Sequence, residues 1–311
     1  MISIVIVNYR SWSHLRPCLN ALHTIPNLSI IVVDNDSADG ELEIFKSDFP
    51  NINFIEAGQN LGFGAACNLG ASFSQNEYIL FLNPDTIANE SAIFEMKDFL
   101  TKNADFKIVS CQQHQNLAKH YLLFPNGFRI FGLLRAFEQF LGKRKFEIKK
   151  IDTAQYITPD WVSGSVIMTT KTWLKAINGW SAPYWMYSED LDLCKKTIDK
   201  KGKIALLTNV NIYHKHGGAT RKNIDITAMT KAEVIKSKHV YYQIHFRSIE
   251  NLLGHIVLIT NFLLLKIPLA LLGKILFFVP KLRLQTKLFI QLLKYYRHAL
   301  QNKTWLSEKL F

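Results

Sequence analysis

The first hundred residues alternate between two textures. "SIVIVNY" (3–9), "LSIIVVDN" (28–35), "NINFIEA" (51–57) and "YILFLN" (78–83) are short apolar runs that end in polar residues. Between them, "SHLRPCLNALHTI" (13–25) carries leucines at helical spacing, "ELEIFKSDF" (41–49) reads as helix, and "GFGAACNLGASF" (62–73) reads as a helix of small residues. This alternation predicts βαβ crossovers and an α/β fold with a mainly parallel sheet flanked by helices. The strands are apolar at odd and even positions alike, as expected when helices cover both faces. In such sheets ligands bind beyond the carboxyl ends of the strands. Polar residues gather there: Asn8 and Tyr9, Asp34 and Asn35, Asn83 and Asp85. The pattern locates a site before any chemistry is assigned to it.

Further along, residues 110–155 mix aromatics with a basic patch and show no period, so they are expected to leave the sheet as a lid or an acceptor-side wall. "WVSGSVIMTTKTWLKAINGW" (161–180) predicts a strand containing Gly164, then a helix ending near Gly179. A glycine inside a strand marks close backbone approach. "YSEDLDLCKKTIDKKG" (187–202) predicts a helix with an acidic start and a basic end, in the sense its macrodipole favours, with Gly202 as cap. "KIALLTNVNIYHKHGGAT" (203–220) predicts a strand followed by a His- and Gly-rich loop.

Charge divides the chain at about residue 235. The net charge is +12, yet residues 236–311 hold 12 of the 37 Lys and Arg and only two of the 25 acids, Glu250 and Glu308. Two regions are therefore expected, 1–235 as the catalytic-type α/β domain and 236–311 as a basic, apolar helical tail. "IVLITNFLLL" (256–265) and "IPLALLGKILFFVP" (267–280) approach the length of about 20 apolar residues that spans a bilayer. Lys266, Pro268, Lys274 and Pro280 interrupt the run, and Lys266, Lys274, Lys281, Lys287 and Lys294 fall on one broad face of a continuous helix. This favours an amphipathic helix lying on an anionic membrane surface over one crossing it. A helical pair packed on its own domain is the structural alternative. The interleaving of Lys with Leu, Ile and Phe argues against nucleic acid. Cys18, Cys67, Cys111 and Cys194 are scattered, without a C-x-x-C pair, which predicts reduced thiols in the cytoplasm. The N-terminal run lacks a basic n-region and a cleavage site, so no secretory signal is expected.

The candidate chemistry lies in a few short stretches. "VVDNDSADG" (32–40) also resembles the opening of aspartyl-nucleophile phosphatases, but those place it after the first strand and here it follows the second. By itself it reads equally as a polar turn capping a helix. "GQNLGFGAACNLG" (58–70) fits no phosphate-loop pattern. Its small residues permit close approach to a sheet or a nucleotide, and packing alone does not explain Asn60 and Asn68. In "LNPDT", Pro84 fixes φ and holds Asp85 on a stiff turn. One such carboxylate suffices for a divalent cation whose other ligands are phosphate oxygens and water. In "YWMYSEDLDLCKK" (184–196), Glu189 and Asp190 open a helix beside four aromatic or sulfur side chains. Apolar neighbours raise a carboxyl pKa and the helix start lowers it, which suits a tunable base. "YHKHGGAT" (213–220) brings His214 and His216 to a strand end.

In this order, "SIVIVNYRS", "VVDNDSADG", "NLGFGAACNLG", "ILFLNPD", "WVSGSVIM", "NGW", "MYSEDLDLC" and "YHKHGG" resemble family 2 inverting glycosyltransferases, closest to bacterial rhamnosyltransferases of O-antigen and related cell-surface polysaccharides. The likeness covers residues 1–220. It implies a GT-A fold, the nucleotide-diphospho-sugar transferase fold. It implies that Tyr9, Asp34 and Asn35 contact base and ribose, and that Asn60 and Asn68 line the donor pocket with Asn83 and Gly164. Asp85 matches the last acid of the family's D-x-D, and would hold Mg²⁺ or Mn²⁺ together with His214 or His216. Asn83 stands where the wider superfamily places the first acid. Asp190 matches the base, and Glu189 would orient the acceptor or that base. The implied reaction moves a sugar, with dTDP-rhamnose or a UDP-sugar as donor, to a polyprenyl-diphosphate-linked glycan on the inner face of the plasma membrane. Other donors on the same fold (UDP-galactofuranose, UDP-glucose, UDP-N-acetylhexosamine) and a non-catalytic sugar-binding membrane adaptor are the rival readings.

Overall fold

A computed structural model describes residues 1–113, 155–215 and 223–310. The expected excursion is described only at its edges, and residues 114–154 of it lie outside the described residues, as does His216. The chain divides into two compact units, the second taking in residues 183–188 as well as 223–310 among the described residues. Helix 224–245 runs through the expected boundary without a break.

The first unit is built on one mixed sheet. Its strands are β1 (Ile2–Asn8), β2 (Leu28–Asp34), β3 (Asn53–Glu56), β4 (Tyr78–Leu82), β5 (Thr86–Ile87), β6 (Phe106–Gln113), β7 (Tyr156–Ile157), β8 (Val166–Thr170) and β9 (Lys203–His214). Their order is β3-β2-β1-β4-β8-β6-β9-β5, with β7 also on β9. The β3-β2-β1-β4 half is parallel, as the alternating sequence predicts. Beyond it β8 runs antiparallel to both neighbours, and β6 and β9 pair in parallel.

The helices are α1 (Trp12–Leu22), α2 (Glu41–Asp48), α3 (Phe63–Ser72), α4 (Glu90–Lys102), α5 (Lys171–Ala176) and α6 (Glu189–Asp199). The period of two in the strands sorts their side chains into two cores. Ile4, Ile6, Val32 and Leu80 meet α1, α2 and α4 on one face. Val5, Val33, Ile79 and Phe81 meet α3, α5 and α6 on the other. This is why the strands read as continuous apolar chain. Helix α3 lies unusually close to the sheet: a Cβ on Gly70 would stand 2.5 Å from the Val5 side chain. Gly164 is not inside a strand; it sits two residues before β8, in a turn. At the end of α6 the left-handed residue is Lys201 (φ 62°), not Gly202.

The second unit is helical: α7 (Ile224–His245), α8 (Ser248–Asn261), a π-turn (Phe262–Lys266), α9 (Ile267–Ile275) and α10 (Pro280–Asn302). Residues 276–279 reverse the chain, so the basic positions do not line one continuous helix as the spacing predicts. Lys266 and Lys274 lie on the outgoing arm, and Lys281, Lys287 and Lys294 on the returning one. The two arms touch backbone to backbone: a Cβ on Gly273 would stand 2.3 Å from the Leu282 carbonyl oxygen. Phe262, Leu288 and Leu292 with Ala232 form the core of this unit. Residues near 305 are clamped to it. Trp305 stacks on His239 and His255 at 4.6 and 4.2 Å, and buried Lys236 bridges Glu233 and Glu308.

Candidate active site

The loops after β1, β2 and β3 are stitched together by side chains. The Asn8 amide donates to Asp34 and Ser37, each at 3.3 Å. Ser37 donates a short bond to Asp34 and accepts from the Arg10 backbone N–H at 2.9 Å. Asn35 accepts from the Leu61 N–H at 2.9 Å and donates to the Asn60 side chain and the Gly62 carbonyl. Asp34, Asn35 and Asn60 thus form one connected edge, with Tyr9 exposed beside it. Ser37 is absent from the sequence reading. It looked like one more small turn residue, and its contacts with β1 are all long-range.

Asn68 does something else. Its amide donates to the Trp180 carbonyl at 2.7 Å and its oxygen accepts the Trp180 N–H at 2.9 Å. Both ends of the amide thus brace the backbone at Trp180, just beyond α5.

Asp85 lies at the end of β4, where β5 pairs antiparallel with β9 and sets Thr86 opposite His214. His214 Nε2 stands 3.2 Å from Asp85 Oδ1. Its Nδ1 stands 2.8 Å from Gln113 Oε1, an oxygen that can only accept, so Nδ1 carries the ring proton. Ser165 donates to the same oxygen at 2.5 Å. Nε2 then faces the Asp85 carboxylate oxygen, and the two groups lie close enough to share one positive partner. One imidazole and one carboxylate fit a divalent ion whose other ligands come from phosphate and water. Asn83 adds no charge; its backbone N–H is bound to the Ser165 carbonyl at 2.9 Å. Gln113 was missed in the sequence because it closes a strand whose continuation is illegible, although a polar strand end was the signal used elsewhere. A cavity of about 590 Å³ beside Ile87 and Tyr213 opens on the other face of the β5–β9 ribbon and takes no part in this site.

Glu189 and Asp190 begin α6 directly after Tyr187 and Ser188, both at positive φ (72° and 66°). Such backbone costs about 1–3 kcal/mol per residue and concentrates at functional sites. Asp190 Oδ2 accepts the Gly164 N–H at 3.0 Å and Oδ1 the Leu191 N–H at 2.8 Å. A Cβ on Gly164 would stand 3.2 Å from the Asp190 Cβ, so the close approach read from the sequence is made by Asp190. Burial raises the Asp190 pKa and the two N–H donors oppose it. Glu189 is pushed up to about 8, first by burial and then by the Asp190 charge. Glu189 Oε2 has no hydrogen-bond partner among the described residues. Of the two, Glu189 is the one that favours its protonated form, while the two N–H donors on Asp190 favour that group's charged form against its burial. Asp192, fully buried on the same helix, accepts from Ser181 and faces Lys196 at 3.4 Å, so it holds structure.

Residues 163–165 join the two acidic regions. Gly164 binds Asp190, and Ser165 binds both Asn83 and Gln113.

Comparison with known proteins places this geometry in a family. The chain is 27% identical over 221 residues to the low-salt glycan biosynthesis hexosyltransferase Agl10 of Haloferax volcanii, covering 68% of this chain and 66% of that protein. It is 24% identical over 237 residues to the N-acetylglucosaminyl-diphospho-decaprenol L-rhamnosyltransferase of Mycobacterium tuberculosis, covering 67% and 72%. The S. aureus TarS structure (residues 1–349) superposes with a TM-score of 0.51 at 16% identity, over 99% of this chain and 88% of that one, a likeness of fold. Residues 3–156 match the sequence profile described as glycosyl transferase family 2, and the chain belongs to that family.

Proposed function

We propose that the chain is an inverting glycosyltransferase that moves L-rhamnose from dTDP-β-L-rhamnose to a hydroxyl of a polyprenyl-diphosphate-linked glycan. It would work at the anionic cytoplasmic face of the plasma membrane, in cell-surface polysaccharide synthesis. The observation that carries the reaction is Asp190, gripped by two backbone N–H groups that favour its charged form, next to a carboxyl whose pKa is pushed up to about 8. Asp190 takes the acceptor's hydroxyl proton as the new C–O bond forms and the bond to the diphosphate oxygen breaks on the opposite face. A single displacement inverts the anomeric carbon. Positioned base catalysis contributes roughly 10²–10⁴-fold, and holding donor and acceptor in line lowers the entropic barrier further.

Tyr9, Asp34, Asn35 and Asn60 form the edge that receives base and ribose, and Asn83 leads to the diphosphate end. Asp85 and His214 would hold Mg²⁺ or Mn²⁺, and Gln113 fixes the His214 ring for that task. The bound ion supplies charge neutralisation to the departing nucleoside diphosphate. Glu189, as a neutral acid, presents its unpartnered oxygen to the acceptor.

Similarity to a decaprenol-linked L-rhamnosyltransferase supports the donor and the lipid-linked acceptor. Similarity to a hexosyltransferase keeps a UDP-hexose as the second reading. The test is a panel of nucleotide sugars with Mn²⁺, read by thermal shift and by nucleoside diphosphate release. dTDP-rhamnose should give the largest shift and the fastest release. A UDP-sugar in first place would replace the donor, and binding by none would end the proposal.

A further inference from the structure

The helical unit carries an apolar surface of unusual extent. Ile249, Leu252 and Ile256 recur at i, i+3 and i+7 on α8 and all are exposed. The exposed run continues through Leu264 to the reversal at 276–279. There Ile275 is 72% exposed, and Phe277 and Phe278 are each 69% exposed. Residues 248–275 are long and apolar enough to cross a membrane by length and composition.

They do not stand alone, however. Helix α10 returns along them: Thr286 Oγ1 donates to the Ala270 carbonyl at 3.1 Å, and Phe262 meets Phe289 at 5.4 Å and Tyr296 at 4.8 Å. Helix α10 carries Lys281, Arg283, Lys294 and Arg297. A crossing would drag these cations toward the hydrocarbon centre, where each is costly. Between Glu250 and Glu308 the sequence has no acid at all. Lys274, Lys281 and Arg283 flank the turn on both arms. The apolar tip and its cationic collar match the two layers of an anionic leaflet, acyl boundary and phosphate headgroups.

We infer that this hairpin is a wedge that enters one leaflet. Its tip at 275–278 and the exposed side of α8 and α9 sit among the acyl chains, the collar binds lipid phosphates, and neither arm reaches the far side. The inference rests on the membrane address proposed above and defines how that address is read.

The experiment uses the full chain and sealed vesicles of phosphatidylcholine, with and without phosphatidylglycerol. The wild type should float with the anionic vesicles only. The Phe277→Asp, Phe278→Asp double variant should bind them more than about tenfold more weakly, since two buried phenyl groups are lost. Its melting temperature and nucleoside diphosphate release should be unchanged. All four native cysteines are buried, so Phe278→Cys provides one reactive thiol. A fluorophore there should be quenched by nitroxides placed shallowly in the outer leaflet. A thiol reagent trapped inside the vesicles should leave the unlabelled variant unmodified. Absence of binding, equal binding by the double variant, or modification from inside overturns the wedge. So does a tip buried by self-association in the absence of lipid. Nucleotide release measured on the same samples separates these outcomes from failure of the catalytic reading, which would show as lost release with vesicle binding intact.

Discussion

The strand-end pair Asp85–His214 and the helix-start pair Glu189–Asp190 each place a carboxylate in a nearly dry setting, and they treat its charge in opposite ways. Around His214, Nδ1 faces the side-chain oxygen of Gln113, itself held by Ser165. That arrangement turns Nε2 toward the Asp85 carboxylate. Around Glu189 there is burial, a neighbouring negative charge and an oxygen without a partner. That arrangement retains a proton. Asp192 shows that burial alone decides neither: one turn along, a lysine and a serine make the same group structural. The surroundings of a carboxyl, more than its position in the sequence, assign its task.

Three substitutions would break or sharpen the contrast. The largest effect is expected for Asp190→Asn, which keeps the shape and removes the base. Turnover should fall by roughly 10²–10⁴-fold while nucleotide affinity, followed by calorimetry, stays near wild type. Loss of nucleotide affinity in parallel would mean that Asp190 belongs to the donor site instead. Next is Gln113→Leu, which frees the His214 ring without touching Asp85. Outer partners of metal ligands are typically worth 10–100-fold in metal affinity. The Mn²⁺ titration of activity should move up by that factor with the plateau retained, and an unmoved curve would reduce Gln113 to packing. The smallest effect on turnover is expected for Glu189→Gln, which imitates the protonated acid. The sign follows from the raised pKa. The fold favours the neutral form, so this contribution is complete below the ordinary carboxyl value of 4.5 and is lost as pH rises through about 8. Thermal melts across that window should show wild type losing stability relative to Glu189→Gln. The alkaline fall in activity should weaken in the variant. A constant gap from pH 5 to 9 would show that Glu189 is ionised throughout.

Much of the first unit was legible. The four apolar runs became β1 to β4 within a residue or two, because a strand covered on both faces has no amphipathic pattern to misread. Asp85 and Asp190 were visible because each closes or opens an element. What the sequence hid were contacts over long separations. Asn68 reaches Trp180 across 112 positions and Gln113 reaches His214 across 101. Nothing local distinguishes an amide that meets a ligand from one that braces a turn. Gly164 was recognised as a point of close approach, and its neighbour is Asp190. In the tail, helical spacing held along each arm and failed across residues 276–279, where Val279 and Pro280 start a new helix in the opposite direction.

Residues 163–165 have a consequence for how such an enzyme changes. Through Gly164 they hold Asp190, and through Ser165 they hold both Asn83 and the glutamine behind His214. The spacing between Asp190 and the Asp85–His214 pair is therefore gauged by three residues of one turn, which behaves like a spacer block in a machine tool; on the proposed roles this is the spacing between incoming hydroxyl and leaving group. Sugar and acceptor preference can drift in the surrounding loops without resetting that gauge. A side chain at Gly164 would press on Asp190 at 3.2 Å and shift that spacing for every substrate alike.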